Sequence, residues 1–176
     1  MNAAAGPFMI AATLLGLAGA FKAASPRDTA NALRGVGLPG APWLVRAGGA
    51  FEAAVGAYAI VEGDRLGAAL VAVSYFLFAG FVAIALGRGV PIATCGCFGK
   101  ADTPPSLVHV GFDLAAAGAA IAVVVDPTAG MADTVADQPL AGVPYVLLVI
   151  TGTFLAFLAL TALPRTLALV REARTA

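Results

Sequence analysis

Five long, uninterrupted apolar segments constrain the fold of this chain more than any other feature. They lie near Pro7–Ala24, Pro42–Val61, Leu66–Gly87, Leu107–Val125 and Gly142–Leu163. Each is close to the roughly 20 helical residues that cross about 30 Å of hydrocarbon. A spanning chain must satisfy its backbone hydrogen bonds internally, and these runs lack the alternation of barrel strands. The sequence therefore predicts an all-α polytopic membrane bundle of about five transmembrane helices, with the lipid bilayer as its surroundings.

Composition agrees with this fold class and limits the domain organisation. Hydrophobic residues make up 60% of the chain and charged residues only 11%, whereas soluble domains carry about 25% charged residues. We expect residues 1–176 to form a single integral membrane domain. Ten basic and ten acidic residues cancel, so the charge does not indicate a nucleic-acid partner. The N-terminus lacks the basic region of a signal peptide, and we expect the first segment to be retained.

The first connection, residues 25–41, carries the start signals of a short helix. Ser25 is the expected N-cap, Pro26 the first helical residue and Asp28 the acidic residue of the first turn. The helix is expected to end at Gly35 or Gly37 and to lie at the membrane interface. The residues expected to face the membrane are Ala30, Leu33 and Val36.

Small residues recur along one stripe of the helix predicted near Pro42–Val61. Gly49, Ala53 and Gly56 follow each other at i, i+4 and i+7, a spacing that lets two helix backbones approach closely in a membrane. We therefore expect a compact bundle with little room for an aqueous pore. A small-solute transporter is further disfavoured because discontinuous helices and polar stripes are missing from the sequence.

Charged residues inside the apolar segments mark a candidate intramembrane polar site. Glu52 lies midway along its helix, where an ionised side chain costs at least about 2.5 kcal/mol unless it finds a partner. Its place on the small-residue stripe predicts that it faces another helix. Arg46, on the same helix, points elsewhere by the helical rotation of about 100° per residue, and Lys22 is the candidate partner. Glu52 is expected to form a structural ion pair, to be neutral and hydrogen-bonded, or to handle protons, and Glu52 and Arg46 are expected to organise the bundle.

The only two cysteines, Cys95 and Cys97, lie one residue apart in the loop Gly89–Lys100. A disulfide between i and i+2 closes almost no loop, so it would stabilise the fold poorly, and its strained ring would be easily reduced. Gly96 provides the conformational freedom for such a ring. A redox-active pair is the leading interpretation. Inert thiols are one alternative, and Cu(I) bound by the two thiolates is another; structural zinc lacks ligands, since only His109 is available as a third.

The helix that follows this loop begins with polar residues that can tune a thiol. Ser106 is a plausible N-cap, and His109 and Asp113 lie at i and i+4 on one face. The positive end of this helix and Lys100 would lower the pKa of a cysteine thiol, and His109 could accept its proton. The alternative interpretation is that His109 and Asp113 are interfacial groups that bind water.

Six short stretches of the chain form a recognisable set. They are Phe21-Lys22, Leu33-Arg34, Gly37-Leu38-Pro39, Arg46-Ala47-Gly48-Gly49-Ala50-Phe51-Glu52, Cys95-Gly96-Cys97-Phe98-Gly99 and His109-Val110. With them the chain resembles, over about residues 7–125, the MauE family of methylamine-utilisation membrane proteins, which are related to DoxX-like proteins. The fifth helix and basic tail, residues 142–176, lie outside the resemblance. Asp113 departs from it, since asparagine is expected there.

The resemblance implies a thioredoxin-like partner and a role in forming or reducing disulfides outside the cytoplasm, as in the maturation of the small subunit of methylamine dehydrogenase. The leading hypothesis is thus a thiol-disulfide redox protein that uses Cys95 and Cys97, with His109 and Lys100 as tuning residues. No bound cofactor is expected, although one cysteine pair needs a second half-reaction, for which a quinone is a candidate. The rival hypothesis is a non-catalytic membrane assembly subunit or scaffold.

Basic residues predict the orientation in the cytoplasmic (inner) membrane. One side of a five-span bundle holds Lys22, Arg27, Arg34, Arg88, Lys100, Arg165, Arg171 and Arg174. The other side holds only Arg65. Because loops rich in Lys and Arg stay in the cytoplasm, we expect the cysteine loop and the C-terminus inside and the N-terminus outside. The role implied by the family resemblance, outside the cytoplasm, favours the opposite placement of the loop.

Overall fold

Helices account for all the regular structure in the part of the chain that the computed structural model describes, residues 2–88 and 105–164 with 166, 170 and 173. Five are long: α1 Ala5–Ala24, α3 Pro42–Glu62, α4 Arg65–Gly87, α5 Leu107–Val125 and α7 Pro139–Thr161. Two are short: α2 Arg27–Gly35 and α6 Met131–Asp137. The five long helices are long and apolar enough to cross a membrane. The predicted all-α membrane bundle is confirmed, and the bounds of each span agree within a few residues.

The turn between α3 and α4 is fixed by two residues. Gly63 has φ of 62°, a left-handed conformation that glycine adopts without strain and that commonly ends a helix. Asp64 then caps α4, accepting a hydrogen bond of 2.7 Å from the Gly67 amide. Local sequence chemistry therefore favours the end of one span and the start of the next at these residues.

The short helix α2 forms as predicted but begins and faces differently. It starts at Arg27, with Pro26 in the N-cap position and no side-chain cap, while Ser25 terminates α1. Ala30 and Val36 were expected to face the membrane. This expectation is wrong, because both side chains are buried within the protein. Val36 and Ala32 pack with Ala85 at the end of α4. The apolar face of α2 therefore covers the bundle.

The acidic connection after α5 contains α6, which the sequence analysis does not predict. A Cβ atom added to Gly130 would lie 1.7 Å from the Val61 carbonyl oxygen, so only glycine fits at this approach to α3. The Thr128 amide also donates a 3.2 Å hydrogen bond to the Gly63 carbonyl. The connection thus folds back against the α3–α4 turn, and its seven-residue helix is too short for a periodic signal.

Helix α1 is the centre of the bundle, and its closest neighbour is α3. A Cβ added to Gly56 would lie 2.6 Å from the Ala12 carbonyl oxygen, and one added to Gly19 would lie 2.5 Å from the Gly49 carbonyl oxygen. The two backbones therefore touch directly, as the stripe of small residues on α3 predicts.

The remaining helices pack around this pair. Helix α4 packs along α5 and joins α1 through Tyr75, whose buried hydroxyl donates a 2.8 Å hydrogen bond to the Ala11 carbonyl. Phe8 and Met9 of α1 and Val71 of α4 are among the fully buried side chains of the core. Helix α7 lies against α1 and is the least buried span.

Candidate functional site

An ion pair between α1 and α3 lies inside the bundle. Lys22 Nζ is 2.6 Å from Glu52 Oε2, and the two side chains are only 7% and 17% exposed. The glycines of the α1–α3 contact make this possible, because a Cβ at Gly49 would lie 2.8 Å from the Lys22 Cβ. The partner of Glu52 is therefore the one that the sequence suggested. Pairing lets both side chains stay charged in an apolar environment.

Two further helices contribute to the surroundings of Lys22. Its ammonium nitrogen lies 4.2 Å from the centre of the Phe78 ring of α4, a geometry that gives a cation–π attraction. The buried carboxyl group of Asp113 on α5 lies within electrostatic range of Lys22. Lys22 thus pairs with Glu52 of α3, contacts the Phe78 ring of α4 and interacts electrostatically with Asp113 of α5; these four residues are called the central polar cluster. No pattern in the sequence marks Phe78, which is one aromatic residue in an apolar helix.

His109 and Asp113 both lie on the buried face of α5. Each is more than nine-tenths buried, so neither side chain is open to bulk water, and their role stays a prediction. His109 Nδ1 lies 2.9 Å from Ser106 Oγ. Ser106 occupies the N-cap position as predicted, but its hydroxyl contacts this ring and does not cap the helix.

Arg46 stands apart from the ion pair. It is exposed, and its Nε donates a 3.0 Å hydrogen bond to the carbonyl of Ala23 in the last turn of α1. Cationic groups are favourable at the carbonyl end of a helix. Arg46 therefore joins α3 to the end of α1, as expected for a residue that does not pair with Glu52.

A cavity of about 350 Å³ opens beside the ion pair, between α1, α2, α3 and α4. It is lined by Lys22, Thr29, Leu33, Leu38, Leu44, Val45, Gly48, Gly49, Glu52, Leu77, Phe78 and Phe81. Apart from Lys22, Glu52 and Thr29, these residues are apolar. The cavity therefore combines a mostly apolar lining with a few charged or polar groups, an arrangement typical of small-molecule sites.

The predicted redox residues Cys95, Cys97 and Lys100 lie outside the described residues. The loop that carries them leaves α4 at Gly87 and enters α5 at Leu107. Just before it, Arg88 donates a hydrogen bond to the Val36 carbonyl. Arg88, which leads into the loop, is therefore attached to the connection after α2, on the same end of the bundle as Lys22 and His109.

The five apolar spans and the internal ion pair define the chain as a polytopic α-helical membrane protein. The family model of methylamine utilisation protein MauE matches residues 2–126. The chain belongs to the MauE family. No curated protein and no solved structure proved similar to it. The match ends at the close of α5, so α6 and α7 lie beyond it.

Proposed function

We propose that this MauE-family membrane protein carries out thiol-disulfide exchange through Cys95 and Cys97. The observation that carries the proposal is the Cys-Gly-Cys sequence in a chain of this family. The only two cysteines are spaced for a strained bridge that stabilises little. Such a pair suits a disulfide that forms and breaks in turnover.

The partner in this proposal is a thioredoxin-like protein, and the end product is a disulfide in an exported protein. One cysteine thiolate attacks the partner disulfide and forms a mixed disulfide, and the partner releases a thiolate. The second cysteine then attacks the mixed disulfide, which leaves Cys95–Cys97 oxidised and the partner reduced. The reverse sequence oxidises the partner, and this is the direction that leads to a disulfide in the exported protein.

His109 is proposed to tune the attacking thiol. It lies in the first turn of the helix that follows the cysteine loop, and its buried ring is held by Ser106. A histidine and a helix N-terminus both favour the thiolate. His109→Gln should shift the pH at which the cysteines are alkylated by iodoacetamide upwards. An unchanged alkylation profile in folded His109→Gln would remove this role.

The decisive experiment traps the mixed disulfide in cells with Cys95→Ser and, separately, with Cys97→Ser. One single variant should accumulate a covalent complex that dithiothreitol releases, and the double variant should form none. If the double variant supports full disulfide maturation of the exported protein, the rival role as an assembly scaffold is correct. A glutathione titration adds a second check, because a pair that stays oxidised below about −300 mV behaves as a structural bridge.

The proposed orientation places the cysteine loop in the cytoplasm, because eight of the ten Lys and Arg residues lie on its side. A membrane-impermeant maleimide, applied to intact cells after reduction, should label the cysteines only when the membrane is opened. Rapid labelling of intact cells would place the loop outside, where the role implied by the family resemblance has it.

A further inference from the structure

The cavity beside the ion pair has the size and lining of a ligand site. Its volume of about 350 Å³ falls within the roughly 300–1,000 Å³ of small-molecule pockets. Phe78 and Phe81 supply aromatic lining, and Lys22 and Glu52 supply its charged groups. A planar ring with polar substituents suits this lining.

The charge of these two groups indicates what kind of ligand fits. Lys22 and Glu52 are joined by one hydrogen bond of 2.6 Å and neutralise each other, so the pair attracts neither an anion nor a cation strongly. An ammonium has three donors and a carboxylate about four acceptor positions, and this bond occupies one of each. A neutral ligand that carries a carbonyl in one state and a hydroxyl in another can use both groups.

The mouth of the cavity opens on the apolar surface of the bundle. Leu77 at its edge is 67% exposed, and Leu38 and Leu44 are exposed as well. In a transmembrane bundle such a surface faces lipid, so a ligand reaches the cavity from the bilayer and needs an apolar body or tail.

We propose that this cavity binds a lipid-soluble quinone, which accepts the electrons of the cysteine pair. The inference rests on the proposed function and names the second half-reaction that a single cysteine pair requires. Two S–H bonds break and one S–S bond forms, while two electrons and two protons convert the two quinone carbonyls to hydroxyls. The Cys95–Cys97 disulfide then oxidises the thioredoxin-like partner.

The attachment of Arg88 to the Val36 carbonyl supports this coupling. Leu38, two residues further, lines the cavity. Arg88, the residue that leads into the cysteine loop, is therefore held next to one side of the cavity.

A matched pair of glycine variants tests the site in the full-length protein. A Cβ added to Gly48 meets no atom within 4 Å, and Gly48 lines the cavity. Gly80 is equally open but does not line it. Gly48→Phe should therefore fill the cavity without a backbone clash, and Gly80→Phe adds the same bulk elsewhere. The probe is a short-chain ubiquinone, and the signal is the fluorescence of Trp43, the only tryptophan, adjacent in sequence to Leu44.

We expect saturable quenching in the native protein and in Gly80→Phe, with binding about tenfold weaker, or about 1.4 kcal/mol, in Gly48→Phe. Quenching that rises without saturation in all three proteins, or equal affinity in both variants, would overturn the site. Photolabelling of the native protein with an azidoquinone is the second measurement. Label on α3 and α4 around the cavity supports the proposal, and label confined to other helices refutes it even if Gly48→Phe does not fold.

Mixed-disulfide trapping in Gly48→Phe separates this inference from the proposed function. The covalent complex with the thioredoxin-like partner should still form, while quinone-dependent oxidation of the cysteines is lost. If no complex forms in any variant but the quinone binds saturably, the thiol-disulfide role fails and the quinone site stands.

Discussion

Helix α1 contacts α3 on one side and α7 on another, and the two contacts are built differently. Between α1 and α3, a Cβ at Gly56 would meet backbone atoms of Ala12 and Gly16 at 2.6 Å. Between α1 and α7, a Cβ at Gly152 would meet only the side chain of Ile10, at 2.4 Å from its Cδ1. The first contact joins two backbones, and the second joins a backbone to a flexible side chain.

The difference shows how a membrane helix pair gains stability. Lipid is as apolar as a leucine side chain, so association relies on close packing and polar bonds. The α1–α3 contact has both, because it adds the Lys22–Glu52 pair. In α1, 50% of the most apolar 18-residue stretch is buried, whereas in α7 only 17% of the corresponding stretch is buried. We conclude that α1 and α3 form the rigid framework of the site and that α7 is a loosely attached neighbour.

The largest effect is expected from Glu52→Lys, which places two ammonium groups together at the α1–α3 contact. Breaking a buried ion pair costs about 3–5 kcal/mol, and repulsion adds to this. Thermal unfolding in detergent, followed by Trp43 fluorescence, should show little or no folded protein. Glu52→Gln is the control, since its amide can still accept a hydrogen bond from Lys22 and should be partly tolerated. Normal folding of Glu52→Lys would show that the side chain faces water.

Gly56→Ala should have the next largest effect. The added methyl group meets backbone atoms that cannot move alone, so α1 and α3 must separate, and overpacking of this kind costs about 1–3 kcal/mol. The Lys22–Glu52 pair is then stretched too. Thermal unfolding of the purified variant measures the loss. An unchanged unfolding temperature would mean that the α1–α3 contact is not the rigid one.

Arg46→Gln should have a smaller effect, because the residue is exposed and joins the helices through one hydrogen bond, to the Ala23 carbonyl. Loss of such a bond costs about 0.5–1.5 kcal/mol. The same unfolding assay applies, with Arg46→Lys as a partial replacement that keeps the charge. A loss as large as that of Glu52→Lys would assign Arg46 to the central polar cluster.

The smallest effect is expected from Gly152→Ala, the counterpart of Gly56→Ala on α7. The side chain of Ile10 can rotate away, and alanine has a helix propensity about 1 kcal/mol better than glycine. The cost of displacing the Ile10 side chain and the gain in helix propensity oppose each other, so the unfolding temperature should stay nearly unchanged. If Gly152→Ala destabilises the protein as much as Gly56→Ala, the two contacts are equivalent and the comparison fails.

Much of the fold could be predicted because its signals are local. The five spans follow from the lengths of apolar runs, and the α3–α4 turn follows from Gly63 and Asp64. Lys22 could be suggested as the partner of Glu52 because a charged side chain in an apolar helix requires a partner of opposite charge. Lys22 supplies that charge near the end of the first span. The glycine stripe on α3 likewise predicted a close helix contact. In each case the type and spacing of the residues are enough to predict the structural feature.

Other features were decided only by the tertiary structure. The contact of Phe78 with Lys22, the burial of His109 and Asp113 and the packing of α2 on the end of α4 depend on which helices become neighbours. Membrane helices are apolar on nearly every face, so periodicity does not show which face meets protein and which meets lipid. The cavity too depends on which helices become neighbours. Its lining comes from α1, α2, the connection after α2, α3 and α4, and only their packing brings these residues together.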